Sequence, residues 1–483
     1  LSTLKETALH SAIYSLGNLA VKLAGLIMLP IIASNLSIGE YGVYGLIEAV
    51  NQIMVSFLSL KLPVAAMRLA GNKNSDSEQR AFFSHSIIIL IAVSVAFLGL
   101  SWVLSEPLGI WLTGAENQFL LVMLVMASIA FEMLGQIPIY YLRFNNRSVI
   151  FVTLSLTKLA VLIGLIYFLV EVKSMGILGL VSSFAMANLV FLILGLLLMY
   201  IRPMPYRYNS HEVNDLIKFG FPLIFTSVIT ILLTTSDRYI IRIFHEFDDI
   251  GVYSVAIKVA GIVTFVMLNA FFLAYTPIAY KKQAEPTFQK LQPTILKFVL
   301  LIAMVGIWFL SLFGESILYW LTKNADYVAA APYVPYLGVV IGFSALQTFI
   351  SMSFHYANKT AKNIPILLAA MIINVILAFV LVPIHPIYGS LGSSIAAMFV
   401  MLLMTYKMGL KVYPDYVGFP LLIKLMMLIM IGSGICIAAN YIEMLHGILP
   451  RVILFASMSL ITLRLLSINV NQVVKTLKSW FGI

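Results

Sequence analysis

The sequence predicts an all-α polytopic membrane protein with about fourteen transmembrane helices. Three observations predict it. Hydrophobic residues make up 61% of the 483 and charged ones only 10%, with a mean hydropathy of +1.00. Soluble domains run at roughly 45–50% and 25%. The apolar runs are rich in Leu, Ile, Val, Phe and Met. They reach the ~20 residues a helix needs to cross a bilayer, far beyond the ~10-residue alternating strands of a membrane barrel. Charges collect between the runs, with one sign favoured at every second connection. Only helices and closed barrels satisfy the backbone in hydrocarbon, so the runs are helices.

The spans fall at roughly 11–33, 41–62, 82–104, 119–142, 149–170, 177–201, 216–243, 250–280, 293–314, 332–354, 363–383, 388–410, 420–440 and 449–468. The first run is too long for the apolar core of a signal peptide and has no small-residue cleavage site, so it reads as a retained helix. Alternate connections carry Lys5; Arg68, Lys73 and Arg80; Arg143 and Arg147; Arg202, Arg207 and Lys218; Lys281, Lys282 and Lys290; Lys359 and Lys362; Lys407 and Lys411; Lys475 and Lys478. The other connections carry mainly Glu40, Glu106, Glu116, Glu171, Glu315, Asp326 and Glu443. Cytoplasmic loops collect Lys and Arg, so both termini are expected in the cytoplasm and the span count is even.

That rule also accounts for the net charge of +10, which in a soluble chain would suggest nucleic acid. The single Cys436 permits no disulfide within the chain and no Cys-based metal site. There is no GxxxxGK[ST] phosphate loop and no HExxH pair, and the loops are short. The expectation is a protein that is not an enzyme, with no catalytic residues, cofactor or metal. Any energy then comes from an ion gradient, the membrane potential or consumption of product.

The chain repeats itself. At an offset of 209, Ile31-Ile32 falls on Ile240-Ile241 and Gly42-Val43-Tyr44 on Gly251-Val252-Tyr253. At 213, Gly176, Leu178 and Gly179 fall on Gly389, Leu391 and Gly392, and Asn145 on Asn358. Spans one to six therefore match seven to twelve. Six is even, so the repeat is parallel. The expected domains are 1–208 and 209–412, each a six-helix lobe, and 413–483, two further helices with a cytoplasmic C-terminus.

Ionisable groups inside spans are expensive and usually face a protein interior or an aqueous cavity. Lys22 sits mid-span in the first helix and Glu48 in the second, with Asn51 and Gln52 a turn on. Glu132 and Lys158 lie near mid-depth in spans four and five and are expected to pair; Glu48 either pairs with Lys22 or serves a cavity. Thr230, Thr234, Arg238 and Arg242 recur every four residues along span seven. The two arginines either line a cavity, snorkel to headgroups or pair with Asp237, Asp248 or Asp249. Lys258 has no acidic residue three or four positions away on its helix. His355 reads as a satisfied interfacial histidine.

The stretch from Phe219 to Lys282 joins a proline-bearing helix, DRYII at 237–241, an acidic loop and GVYSVAIK at 251–258. With SAIYSLGNLAVKLAGLIMLPIIASNLSIGEYGVYGLIEAV at 11–50 and NIPILLAAMIINVILAFVLVPIHPIYGSLGSSIAAMF at 363–399, it resembles the polysaccharide flippases of the multidrug/oligosaccharidyl-lipid/polysaccharide exporter superfamily. The resemblance covers spans one to twelve. It implies two six-helix lobes about a central cavity, alternating access, a bacterial inner-membrane location, and an undecaprenyl-pyrophosphate-linked oligosaccharide as substrate, such as an O-antigen unit of lipopolysaccharide. Partners would be membrane lipids and the polymerase and chain-length machinery, with no nucleic acid. If the lobes face each other through spans one, two, seven and eight, Lys22, Arg238 and Lys258, with Arg242, line a cationic cavity. Glu48, Glu132 and Asp237 are then coupling or structural acids. The spacing alone says only that an anion is bound. A cation-coupled multidrug exporter and a lipid II flippase of the same superfamily are the alternatives. An integral-membrane polymerase or ligase would carry a large outer loop, which is missing here.

Overall fold

The computed structural model describes residues 25, 27–201, 208–283, 285–412, 417–442, 445 and 447–467. Lys22, most of the first expected span, and the loop residues Lys5, Arg202, Arg207, Glu443, Lys475 and Lys478 lie outside the described residues. The described residues hold no strand. Twelve of their helices are long and apolar enough to cross a membrane, and a bent pair makes a thirteenth. The fourteenth expected span is the first.

The chain divides into two compact units, Leu1–Arg238 and Tyr239–Ile483. In the first, α1 (Ile38–Leu58) opens on a capping box. The Glu40 amide donates to Ser37 Oγ at 3.2 Å and the Ser37 amide to Glu40 Oε2 at 2.9 Å. Two otherwise unpaired donors are thereby satisfied at the helix start. The sequence reads one straight span ending near 62, but the chain bends by 41° into α2 (Leu62–Ala70). Leu60 and Lys61 take positive φ at the bend, and Pro63, which has no N–H to give, restarts the helix in its first turn. Then come α3 (Asp76–Val103), α4 (Ser105–Thr113), α5 (Phe119–Phe144), α6 (Ser148–Ile166) running into a π turn at Tyr167–Val172, α7 (Gly176–Tyr200) and α8 (Ser210–Phe244). The unit boundary falls inside α8.

The second unit holds α9 (Phe247–Ile262), a π turn at Val263–Leu268, and α10 (Asn269–Lys282), which together make one span. It continues with α11 (Pro286–Thr322), α12 (Ala325–Val328), α13 (Val334–Tyr356), α14 (Asn363–Leu381), α15 (Pro386–Leu410), α16 (Phe419–Tyr441) and α17 (Ile448–Leu466).

Within each unit one helix is central. α5 packs on α1, α3 and α7, and α7 also packs on α6; α13 packs on α9, α11 and α15, and α15 also packs on α14. The neighbour order is the same in both. The last two helices lie against α11: Arg451 of α17, itself buried, donates to the Leu312 carbonyl at 2.9 Å and reaches Glu315 at 3.3 Å.

Two corners show how local chemistry sets this packing. After α5, Asn146 is left-handed (φ 55), its amide donates to the Arg143 carbonyl, and the Arg147 amide reaches Leu142. After α13, Asn358 is left-handed (φ 53), its amide donates to His355, and the Lys359 amide reaches Phe354. Asn tolerates that conformation better than other side chains. The corner thus equates Asn146, not Asn145, with Asn358. On the next helices the match moves further, by three residues. A Cβ on Gly179 would meet the Leu169 carbonyl at 2.9 Å, and one on Gly389 would meet the Leu381 carbonyl at 2.5 Å, whereas Gly392 touches only a leucine methyl. The close backbone approach therefore matches Gly179 with Gly389.

Candidate functional site

The polar residues of α1 face two helices of the first unit. Asn51 Nδ2 donates to Glu132 Oε2 of α5 at 2.9 Å. One turn earlier, Glu48 Oε2 lies 4.0 Å from Nη1 of Arg238 on α8. Arg238 is buried, 5% exposed, while the Glu48 side chain is 31% exposed. A carboxylate that fully engages an arginine sits at about 2.7–2.9 Å with two parallel hydrogen bonds. At 4.0 Å the attraction is Coulombic only. Arg238 Nε also finds no hydrogen-bond partner among the described residues. Asp237, next in the chain, is buried as well.

Other expectations are corrected by this arrangement. Glu132 and Lys158 do not pair. Glu132 looks from α5 toward α1, whereas Lys158 leaves α6 toward α7, with Nζ 5.0 Å from the Phe191 ring centroid. A cation over an aromatic face keeps its charge compensated without an acid. The Glu48–Lys22 pair lies outside the described residues, and the described acid–base neighbour of Glu48 is Arg238. Thr230 and Thr234 spend their hydroxyls on carbonyls of their own helix. Such back-bonding satisfies them without a ligand.

In the second unit Arg242 stacks over the Phe247 ring at 4.3 Å. Lys258 is half-buried on α9, a turn beyond the buried Ser254. His355 is satisfied by the Tyr280 hydroxyl at 2.9 Å, as the sequence reading expects.

Two clusters escape the sequence reading. Buried His85 of α3 lies 3.5 Å from Glu212 in the first turns of α8. In the second unit Tyr388 packs against His385, Tyr333 and Tyr336 at 4.6, 5.1 and 5.4 Å between rings. The spacing of three in Tyr333–Tyr336 and His385–Tyr388 was the available signal, since residues three apart share a helix face. His85 and Glu212 are far apart in sequence and gave none.

This is the fold of a multi-pass membrane protein, with charge buried inside its first unit. The model of the family "Polysaccharide biosynthesis protein" matches residues 10–281, more than half of the chain, and the protein belongs to that family. Among solved structures it is similar to the lipid II flippase MurJ in an inward closed conformation. That likeness has a TM-score of 0.71 and 17% identity, covering 93% of this chain and 98% of MurJ. It is also similar to an inward-facing multidrug resistance MATE family transporter of the MOP superfamily (0.67, 14%, 83% and 95%). A variant of the Vibrio cholerae MATE transporter VcmN is a further neighbour (0.59, 14%, 86% and 98%). No curated protein matches the sequence.

Proposed function

We propose that the protein flips an undecaprenyl-pyrophosphate-linked oligosaccharide, an O-antigen or other surface-polysaccharide repeat unit, across the bacterial inner membrane by alternating access. The observation that carries this reading is Arg238: buried, in a chain of the polysaccharide family, with a carboxylate too distant to complete its hydrogen bonds. Phosphate oxygens suit a guanidinium's fork, and a lysine adds a point charge. Arg238, Arg242, Lys258 and Lys22 are the cations assigned to the substrate's pyrophosphate or acidic sugars. Both termini are assigned to the cytoplasm, and the pathway's polymerase and chain-length proteins are the expected partners. The prenyl tail stays in lipid while the polar head crosses.

A second reading, transport of lipid II, is favoured by one observation. The MurJ likeness extends over 93% of this chain, against 83% for the MATE transporter. One experiment separates the readings. The protein is depleted in cells that make it, and the lipid-linked intermediates on the inner leaflet are identified. Accumulation of a polysaccharide repeat unit supports the first reading, lipid II the second. Unchanged levels of both would remove the flippase assignment.

A further inference from the structure

We infer that the tyrosine cluster of the second unit is a sugar platform: it takes a neutral pyranose ring of the cargo's glycan. The inference rests on the flippase reading and adds to it the residues that meet sugar rather than phosphate.

Four helix ends build the cluster. Tyr333 precedes α13 and Tyr336 lies in its first turn; His385 caps α15 and Tyr388 lies in its first turn. Tyr441 ends α16, and Asp249 sits in the first turn of α9. All four ends border connections expected outside the membrane from the loop charges. Hydrogen bonds join the Tyr388 side chain to those of Tyr336 and Tyr441. A belt tyrosine sets its ring among lipid headgroups, whereas these rings pack on one another. The cluster still meets solvent: Tyr441 is 70% exposed and His385 is exposed.

The fold does not demand these side chains. At the offsets that equate Asn146 with Asn358 and Gly179 with Gly389, Tyr333, Tyr336, His385 and Tyr388 fall on Leu121, Leu124, Met175 and Leu178. The first unit has apolar residues at the same places.

Two polar groups at the cluster have hydrogen bonds to give. His385 Nδ1 accepts the Tyr388 amide at 3.3 Å, which puts the proton of a neutral ring on Nε2. Half-buried Asp249 makes no hydrogen bond among the described residues, yet it lies within electrostatic reach of Tyr333, His385 and His245. His245 is spent on the Val382 carbonyl at 2.7 Å. A pyranose carries C–H groups on its faces and hydroxyls round its rim. The C–H groups suit the negative face of an aromatic ring. The hydroxyls suit a carboxylate acceptor and an imidazole N–H. Asp249, Asp248 and Glu246 stand against two imidazoles and Arg242, which is stacked on Phe247, so the balance favours a neutral ring over an acidic one.

The test uses the full-length protein in lipid nanodiscs and two probes. One is the lipid-linked glycan extracted from cells depleted of the protein; the other is undecaprenyl pyrophosphate without sugar. Wild type is expected to bind the glycan-bearing lipid about tenfold more tightly, the order of one good aromatic or hydrogen-bonded contact. Tyr388→Ala, Tyr441→Ala and Asp249→Asn are expected to lose most of that preference and to bind the bare lipid as wild type does. Tyr388→Phe keeps the ring and should keep more of the preference than Tyr388→Ala. Should Tyr388→Ala fail to accumulate, Tyr441→Ala and Asp249→Asn decide the matter, since neither side chain is fully buried. A preference unchanged in both overturns the platform and leaves the cluster a clamp between helices. Wild type that binds the two probes equally also overturns it, while the anion reading stands. Wild type that binds neither probe removes the platform and the flippase reading together.

Discussion

Asn51 donates to the Glu132 carboxylate at 2.9 Å, tying α1 to the central helix of the first unit. Replacing Asn51 with Leu leaves a half-buried carboxylate without that donor, at a cost of about 1–3 kcal/mol. Asn51→Asp sets two acids together and is expected to be worse. Glu132→Gln keeps an acceptor and is expected to be close to neutral. Thermal unfolding in detergent and protein abundance would order the three. The double exchange Glu132→Lys with Lys158→Glu is expected to rescue nothing, because those side chains face different helices.

For transport, Arg238→Ala and Lys258→Ala are each expected to cut export while the protein still inserts. Arg238→Lys should retain part of the activity, because charge persists and the forked geometry is lost. Surface glycan and protein level must be measured together. Normal export from both Ala variants would end the anion-binding role of these residues.

Arg451 offers a contrast of magnitudes. Its hydrogen bond to the Leu312 carbonyl is buried, whereas its carboxylate partner Glu315 is 62% exposed. Hydrogen bonds to a charged group are worth about 1.5–3 kcal/mol, and an exposed ion pair is worth less than about 1. Arg451→Met is therefore expected to loosen α17 from α11 and lower the unfolding temperature clearly, while Glu315→Gln hardly moves it. Equal effects from the two variants would show that the ion pair, not the carbonyl, holds the helix.

Topology follows from the loop charges. Reporter fusions after Lys73, Lys282 and Lys362 are expected to read cytoplasm, and those near Glu116, Asp248 and Asp326 the outside. One reversed sign before span twelve would break the fourteen-span reading and with it the parallel repeat.

Most of the helical plan was legible because hydropathy over ~20 residues is a strong signal. The limits appear where a single residue outweighs the average. Pro63 restarts a helix after a bend that no hydropathy window reveals. The polar pairs were legible as residues but not as partners. Glu132 and Lys158 stand at similar depth, yet the direction each leaves its helix decides its neighbour, and depth alone does not give direction. Arg238 and Glu48 are separated by most of the first unit in sequence, and only packing reveals them as neighbours.

The corners closed by Asn146 and Asn358 use the same two backbone hydrogen bonds. What the halves share is carpentry; what they do not share is charge. At the offset of 209, Glu48 meets Ile257, Lys258 meets Ala49, Arg238 meets Leu29 and Arg242 meets Ala33. Each of these charges stands opposite an apolar residue in the other copy, so the two copies differ in the chemistry they hold. Under the flippase function we propose, that inequality would let the protein meet the ionic end of an elongated lipid with one copy and leave the other copy apolar.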